Sequence, residues 1–181
     1  MVILLDYKSR IRMCVYMYRL KQFIWAVNSI FKPIDQKLLD KYLTKEEEAI
    51  FNKLSKAERH HSIRVCIKAL SLPNYEYEEV DKDKLAKIAL LHDVGKITNK
   101  LNLIDKSVLV ILNKISNGKI EKYNYIKKID VYYNHGRKST KILKKINNYE
   151  KDFLEAIENH HHKKVEANIY LNILKKCDDE S

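Results

Sequence analysis

Leu85, Ile88, Ala89 and His92 recur at helical spacing, so an imidazole stands on the apolar stripe that a core must cover, and Asp93 follows it at once. Two ionisable groups placed there need partners. One solution is a hydrogen-bonded polar network inside the core. The other is a divalent cation, which takes imidazole nitrogen and carboxylate oxygen together and removes the cost of burying both. The stretch continues through Val94, Gly95 and Lys96, so a cation closes the motif one turn after His92.

The surrounding chain reads as helical. There are only 3 Gly and 2 Pro in 181 residues, and no Gly/Ser-rich or Pro-rich linker divides them. Residues 8–31 form a basic amphipathic segment carrying Val15, Tyr18, Phe23, Ile24, Trp25, Val27 and Phe31. That pattern suits a helix packed on the domain, or one lying on a membrane surface. Residues 1–44 are therefore expected as an N-terminal helical extension packed on the core, and residues 45–181 as the main helical domain.

Thr44 with Glu47, and Ser55 with Glu58, have capping-box spacing and predict helices to about Leu54 and from Lys56 to Ser71. Residues 74–81 are expected as a loop. A helix from about Asp83 should end at Gly95, and Asp105 should cap another that breaks at Asn117-Gly118. Further helices are expected from Lys122 to His135, after a turn at Gly136, from Lys151 to His162, and from Val165 to Asp178.

Several of these helices carry a metal-competent group on the core-facing row. His61 shares a face with Val65; His135 lies one turn after Val131; His160 or His161 continues the row of Ile157; Asp178 continues that of Leu171 and Leu174. His60 points away and is read as solvated. Metal sites rich in nitrogen and oxygen are built this way inside helical bundles. Without cysteine, the set disfavours a closed structural zinc site and suits Fe, Mn, Ni, Co, Mg or catalytic Zn.

The net charge of +11 favours an anionic partner, although heavy use of Lys, Ile, Asn and Tyr also fits an AT-rich coding sequence. No segment interleaves aromatics and cations strongly enough to indicate nucleic-acid binding. Cys14, Cys66 and Cys177 have no paired spacing and read as buried thiols in a reducing compartment. The apolar run Val2 to Leu5 is too short for a signal peptide or a span, so a cytoplasmic location is expected.

In order, His61 with Arg64-Val65, His92-Asp93-Val94-Gly95-Lys96, and Asp178 after Cys177 resemble the motifs of HD-domain metal-dependent phosphohydrolases over about residues 45–180. Asn134-His135-Gly136 through Leu143, and Ile157 through His161, are similar to the elements that supply a second metal in part of that family. Gly136 stands where those relatives have proline, Ser139 where they have glycine, and His162 where many have glutamate. The Gly-Tyr-Pro extension of cyclic-di-GMP phosphodiesterases is absent after His162.

The resemblance implies an all-α, HD-domain-like bundle holding one or two divalent ions. His61, His92, Asp93 and Asp178 would bind the first, and His135, His160 and His161 the second, with Asp93 shared. The implied activity is cleavage of a phosphate ester, of a nucleotide or related small molecule, by a metal-activated water. Asp93 and Lys96 are the implied catalytic residues. Lys96 would neutralise the phosphate or serve a helix end, and Arg64 and Arg137 are weaker candidates for substrate contact. The alternative is a low-turnover module that senses a phosphorylated ligand in the same pocket.

Overall fold

The computed structural model describes residues 32–73, 80–101, 103–161 and 167–181, and contains helices and turns with no strand among them. The helix expected over 8–31, most of the 74–81 loop and His162 lie outside the described residues. Eight α-helices follow in order: α1 (Gln36–Tyr42), α2 (Lys45–Phe51), α3 (Lys56–Leu70), α4 (Lys82–Leu91), α5 (Leu103–Ile115), α6 (Lys127–Leu143), α7 (Lys151–Asn159) and α8 (Ile169–Asp179). Two 3-10 segments, Val94–Thr98 and Lys119–Tyr123, precede α5 and α6 respectively. No helix among the described residues is long and apolar enough to cross a membrane.

Local chemistry accounts for most of the helix starts. Thr44 and Ser55 cap α2 and α3, each accepting from the amide three residues on, while Glu47 and Glu58 return to the cap amides. Asp35, Asp81 and Asn168 cap α1, α4 and α8 with single side chains.

The core is centred on α4, where Leu85, Ala86, Ile88, Ala89, Leu90 and Leu91 are all fully buried. Helix α3 packs along it, and α7 and α8 close the other side. Leu39 and Leu43, around α1, join the same apolar cluster. A second, smaller cluster of Leu101, Leu109, Ile120, Ile129 and Val131 lies between α5, the second 3-10 segment and α6.

The structure corrects several expected boundaries. Helix α4 stops at Leu91 rather than Gly95, because the chain tightens into a 3-10 turn in which the Lys96 amide donates to Asp93 O at 2.9 Å. Gly136 makes no turn and sits inside the continuous helix α6. Asp105 is the third residue of α5, not its cap, and accepts from Lys128 Nζ at 2.7 Å. Helix α7 ends at Asn159 and α8 begins at Ile169, both inside the expected limits.

Both misplaced glycines are sites of close approach. A Cβ on Gly95 would lie 2.0 Å from His135 O and 2.6 Å from Ser139 N. One on Gly136 would lie 2.6 Å from Glu158 O and 2.8 Å from Ile157 O. The absence of side chains therefore lets the 3-10 turn, α6 and α7 touch backbone to backbone. Asn117 and Gly118, with φ of 49° and 83°, do break α5 as their sequence predicts.

Candidate metal centre

Where α4 ends, its last turn presents His92 and Asp93 to the ends or middles of four other helices. His61 comes from α3, His135 from α6, His160 and His161 from the end of α7, and Asp178 from α8. These are the seven residues singled out from the sequence, and all come together. The ligand atoms of Asp93, His135, His160 and His161 lie within 4.8 Å of one another, as do those of His61, His92 and Asp93, and those of His92, His160 and Asp178.

Asp93 stands between the two halves of this set. Its Oδ2 faces His92 Nε2 at 3.5 Å and His61 Nε2 at 3.9 Å. Its Oδ1 faces His135 Nε2 at 3.3 Å and His160 Nε2 at 4.0 Å. One fully buried carboxylate thus addresses two groups of imidazoles with different oxygens.

Backbone carbonyls fix three of the rings. The Nδ1 atoms of His92, His135 and His160 donate to Ala89 O at 2.8 Å, Val131 O at 3.0 Å and Ile157 O at 2.7 Å. A neutral imidazole whose Nδ1 carries the proton has a bare lone pair on Nε2, so these bonds aim three lone pairs into the cluster. Burial pushes the His135 pKa down to about 3 and holds His160 well below the ordinary histidine range, so both are neutral.

The cluster does not satisfy itself. His92 Nε2, His160 Nε2 and Asp93 Oδ1 are buried with no hydrogen-bond partner among the described residues. All three are acceptors in this tautomeric state, and they share one space. Protonating His92 would not repair this, since its nearest carboxylate oxygens stand at 3.5 and 3.7 Å, outside good hydrogen-bond range. A self-sufficient polar core would leave no such orphans, whereas one cation satisfies several lone pairs together. The donor set therefore fits a divalent metal, and its nitrogen and oxygen character suits the borderline and hard ions.

Electrostatics point the same way. Burial works against the Asp93 carboxylate, but chiefly Lys96 and His92 outweigh it and hold its pKa well below the carboxylate range. Asp178 is likewise held well below, with burial opposed by His61 and His92. For His92 burial disfavours the charged form, yet Asp93 and Asp178 win and raise its pKa. A proton and a metal compete for that one lone pair.

Two contacts must rearrange before all seven residues can ligate. His61 Nε2 lies 2.8 Å from Asp178 Oδ1, as a donor to that carboxylate. His161 Nε2 lies 2.7 Å from His135 Nε2, and because His135 Nδ1 already holds its proton, His161 is the donor. Coordination through either nitrogen requires that proton to leave.

The remaining candidates divide. The Lys96 ammonium pairs with Asp93 Oδ2, a role neither sequence alternative described, and this pairing raises its pKa against the opposing effect of burial. Arg64 is half-buried on α3, one turn beyond His61. Arg137 is outside the cluster, 65% exposed and facing Glu158 Oε1 at 3.6 Å. His60 also points away, with Nε2 at 3.2 Å from Lys32 O.

Ser139, which the sequence shows only as a departure from the resembled pattern, has a structural role here. Its buried Oγ accepts from the Gly95 amide at 2.7 Å and reaches His92 O at 2.7 Å and His135 O at 2.9 Å as a donor. It fastens the His-Asp turn to α6. The signal was present, since Ser139 stands at a position where the resembled pattern has glycine.

Comparison with known proteins agrees with this geometry. No curated protein and no solved structure matches the chain at a significant level. The model of the HD domain family matches residues 59–181, which span every residue of the cluster. On that match, covering more than half of its length, the chain belongs to the HD domain family.

Proposed function

We propose that the chain is a metal-dependent phosphohydrolase that cleaves a phosphate ester of a nucleotide or a related small molecule. The observation that carries this reading is the trio of orphaned acceptors, His92 Nε2, His160 Nε2 and Asp93 Oδ1, meeting in one buried space. His61, His92, Asp93 and Asp178 would hold one ion, and Asp93, His135, His160 and His161 a second. A divalent ion there supplies a water of lowered pKa and a Lewis acid for the phosphoryl oxygens.

The protein's own groups do the rest. Carbonyls of Ala89, Val131 and Ile157 orient the imidazoles, and burial keeps His135 and His160 unprotonated for their task. Lys96 offers a positive charge next to Asp93, suited to the anionic ester. Access is favoured at the His161 edge, which is exposed while its neighbours are buried. The net charge of +11 supports an anionic substrate, and a reducing, cytoplasmic setting fits the buried cysteines Cys66 and Cys177.

The test is metal content and phosphate release over a panel of nucleotides and sugar phosphates, for wild type and Asp93→Ala. Loss of bound metal with a fall in rate of more than about a hundredfold supports the proposal. Wild-type metal and rate in the variant would overturn it. Metal-dependent nucleotide binding without turnover across the panel would instead make the protein a sensing module.

A further inference from the structure

Among the described residues, helix α5 is apolar on two sides and only the inner one is covered. Leu109 faces inward, in the cluster with Ile129 and Val131, and the inner edge is pinned by Lys128 on Asp105 and by the Tyr133 hydroxyl on Asn113. Val108, Ile111, Leu112 and Ile115 follow at i, i+3, i+4 and i+7 along the outer face, with exposures of 46, 55, 43 and 74%. The connection to α6 adds Tyr123, Tyr125 and Ile126, all exposed. Among the described residues, every large exposed hydrophobic except Ile67 and Ile169 falls between positions 108 and 126. Such concentration marks an interaction surface rather than the usual scatter of single apolar residues.

The charge around it selects the occupant. Lys114, Lys119, Lys122 and Lys127 are exposed along the same stretch, where Glu121 is the only acid. A second copy of the chain would bring this face against itself and set lysines opposite lysines, on a protein already at +11. An anionic bilayer reverses that sign. It accepts an apolar stripe at the acyl boundary, tyrosines at headgroup level, and lysines on the phosphates.

We propose that the outer face of α5, with the Tyr123–Lys127 connection, docks the domain on an anionic phospholipid surface. This face shares no residue with the 8–31 segment or with the metal centre.

The experiment is co-sedimentation of the full chain with vesicles of phosphatidylcholine alone and of phosphatidylcholine with phosphatidylglycerol. Wild type should bind the mixed vesicles in a salt-sensitive way and the neutral ones weakly. Ile111→Asp/Ile115→Asp should lower that binding about tenfold or more with an unchanged circular dichroism spectrum, because the replaced side chains are exposed. Lys119→Glu/Lys122→Glu, which removes no buried side chain and of whose residues Lys122 has its ammonium 4.8 Å from the exposed Tyr123 ring, should weaken it by a similar factor and supplies the test should the first variant fail to fold. The proposal is overturned by no vesicle binding of wild type, by full binding of both variants, which would assign attachment elsewhere, or by a wild-type dimer that either variant dissociates.

Discussion

Ser139 is the residue whose removal separates positioning from ligation. Its hydroxyl touches no ligand atom, yet it joins the Gly95 amide to the carbonyl oxygens of His92 and His135. Ser139→Ala leaves a buried amide without its acceptor, at a cost of about 1–3 kcal/mol in unfolding free energy. The same change loosens the turn that aims His92 and Asp93, so divalent-metal affinity should fall by about tenfold to a hundredfold with every ligand still present. Chemical denaturation and metal titration by calorimetry check the pair, and unchanged affinity would show that the turn holds its shape without this hydroxyl. The ligands themselves were legible in sequence because each continues an apolar helical row. The Ser139 role was not: its departure from glycine marks the position, but a small polar residue inside a helix does not tell what it faces.

At the level of helices, the two glycines at the centre are contact points whose effect runs against intrinsic propensity. Replacing a mid-helix glycine by alanine ordinarily stabilises by about 1 kcal/mol. At Gly136 the new Cβ would stand 2.6 Å from Glu158 O and 2.8 Å from Ile157 O, so α7 must move away from α6. Overpacking of this kind costs about 1–3 kcal/mol, enough to reverse the sign. Gly136→Ala should therefore destabilise the protein and weaken metal binding, because His160 and His161 stand at the displaced end of α7. Gly118→Ala is the control: its φ of 83° makes alanine strained, but its Cβ meets nothing nearer than Asn113 Oδ1 at 3.8 Å. That variant should lose about 1 kcal/mol with metal affinity intact. Equal metal affinity in both variants would contradict the packing role of Gly136. Caps such as Thr44 with Glu47 are encoded by neighbours in sequence and could be read there, as could the turn at Gly118. Gly95 and Gly136 read as breaks in the sequence because a glycine needed for close approach looks the same there as one needed for a turn.

For the molecule as a whole, the all-α architecture followed from scarce glycine and proline and from 3.6-residue periodicity, both local properties. The outer face of α5 was hidden, because an apolar helix in sequence reads as buried and only the packing reveals which side stays bare. The cluster itself joins five helices and spans positions 61 to 178, so its geometry depends on every packing contact around α4. X-ray absorption at the edge of the metal carried by the purified full chain reads that geometry without reference to any reaction. The account predicts a divalent ion coordinated by nitrogen and oxygen alone, with the multiple scattering of several imidazoles, and loss of that signal in His92→Ala/His160→Ala. A sulfur ligand, an absence of imidazole scattering, or an unchanged spectrum in the double variant would contradict it.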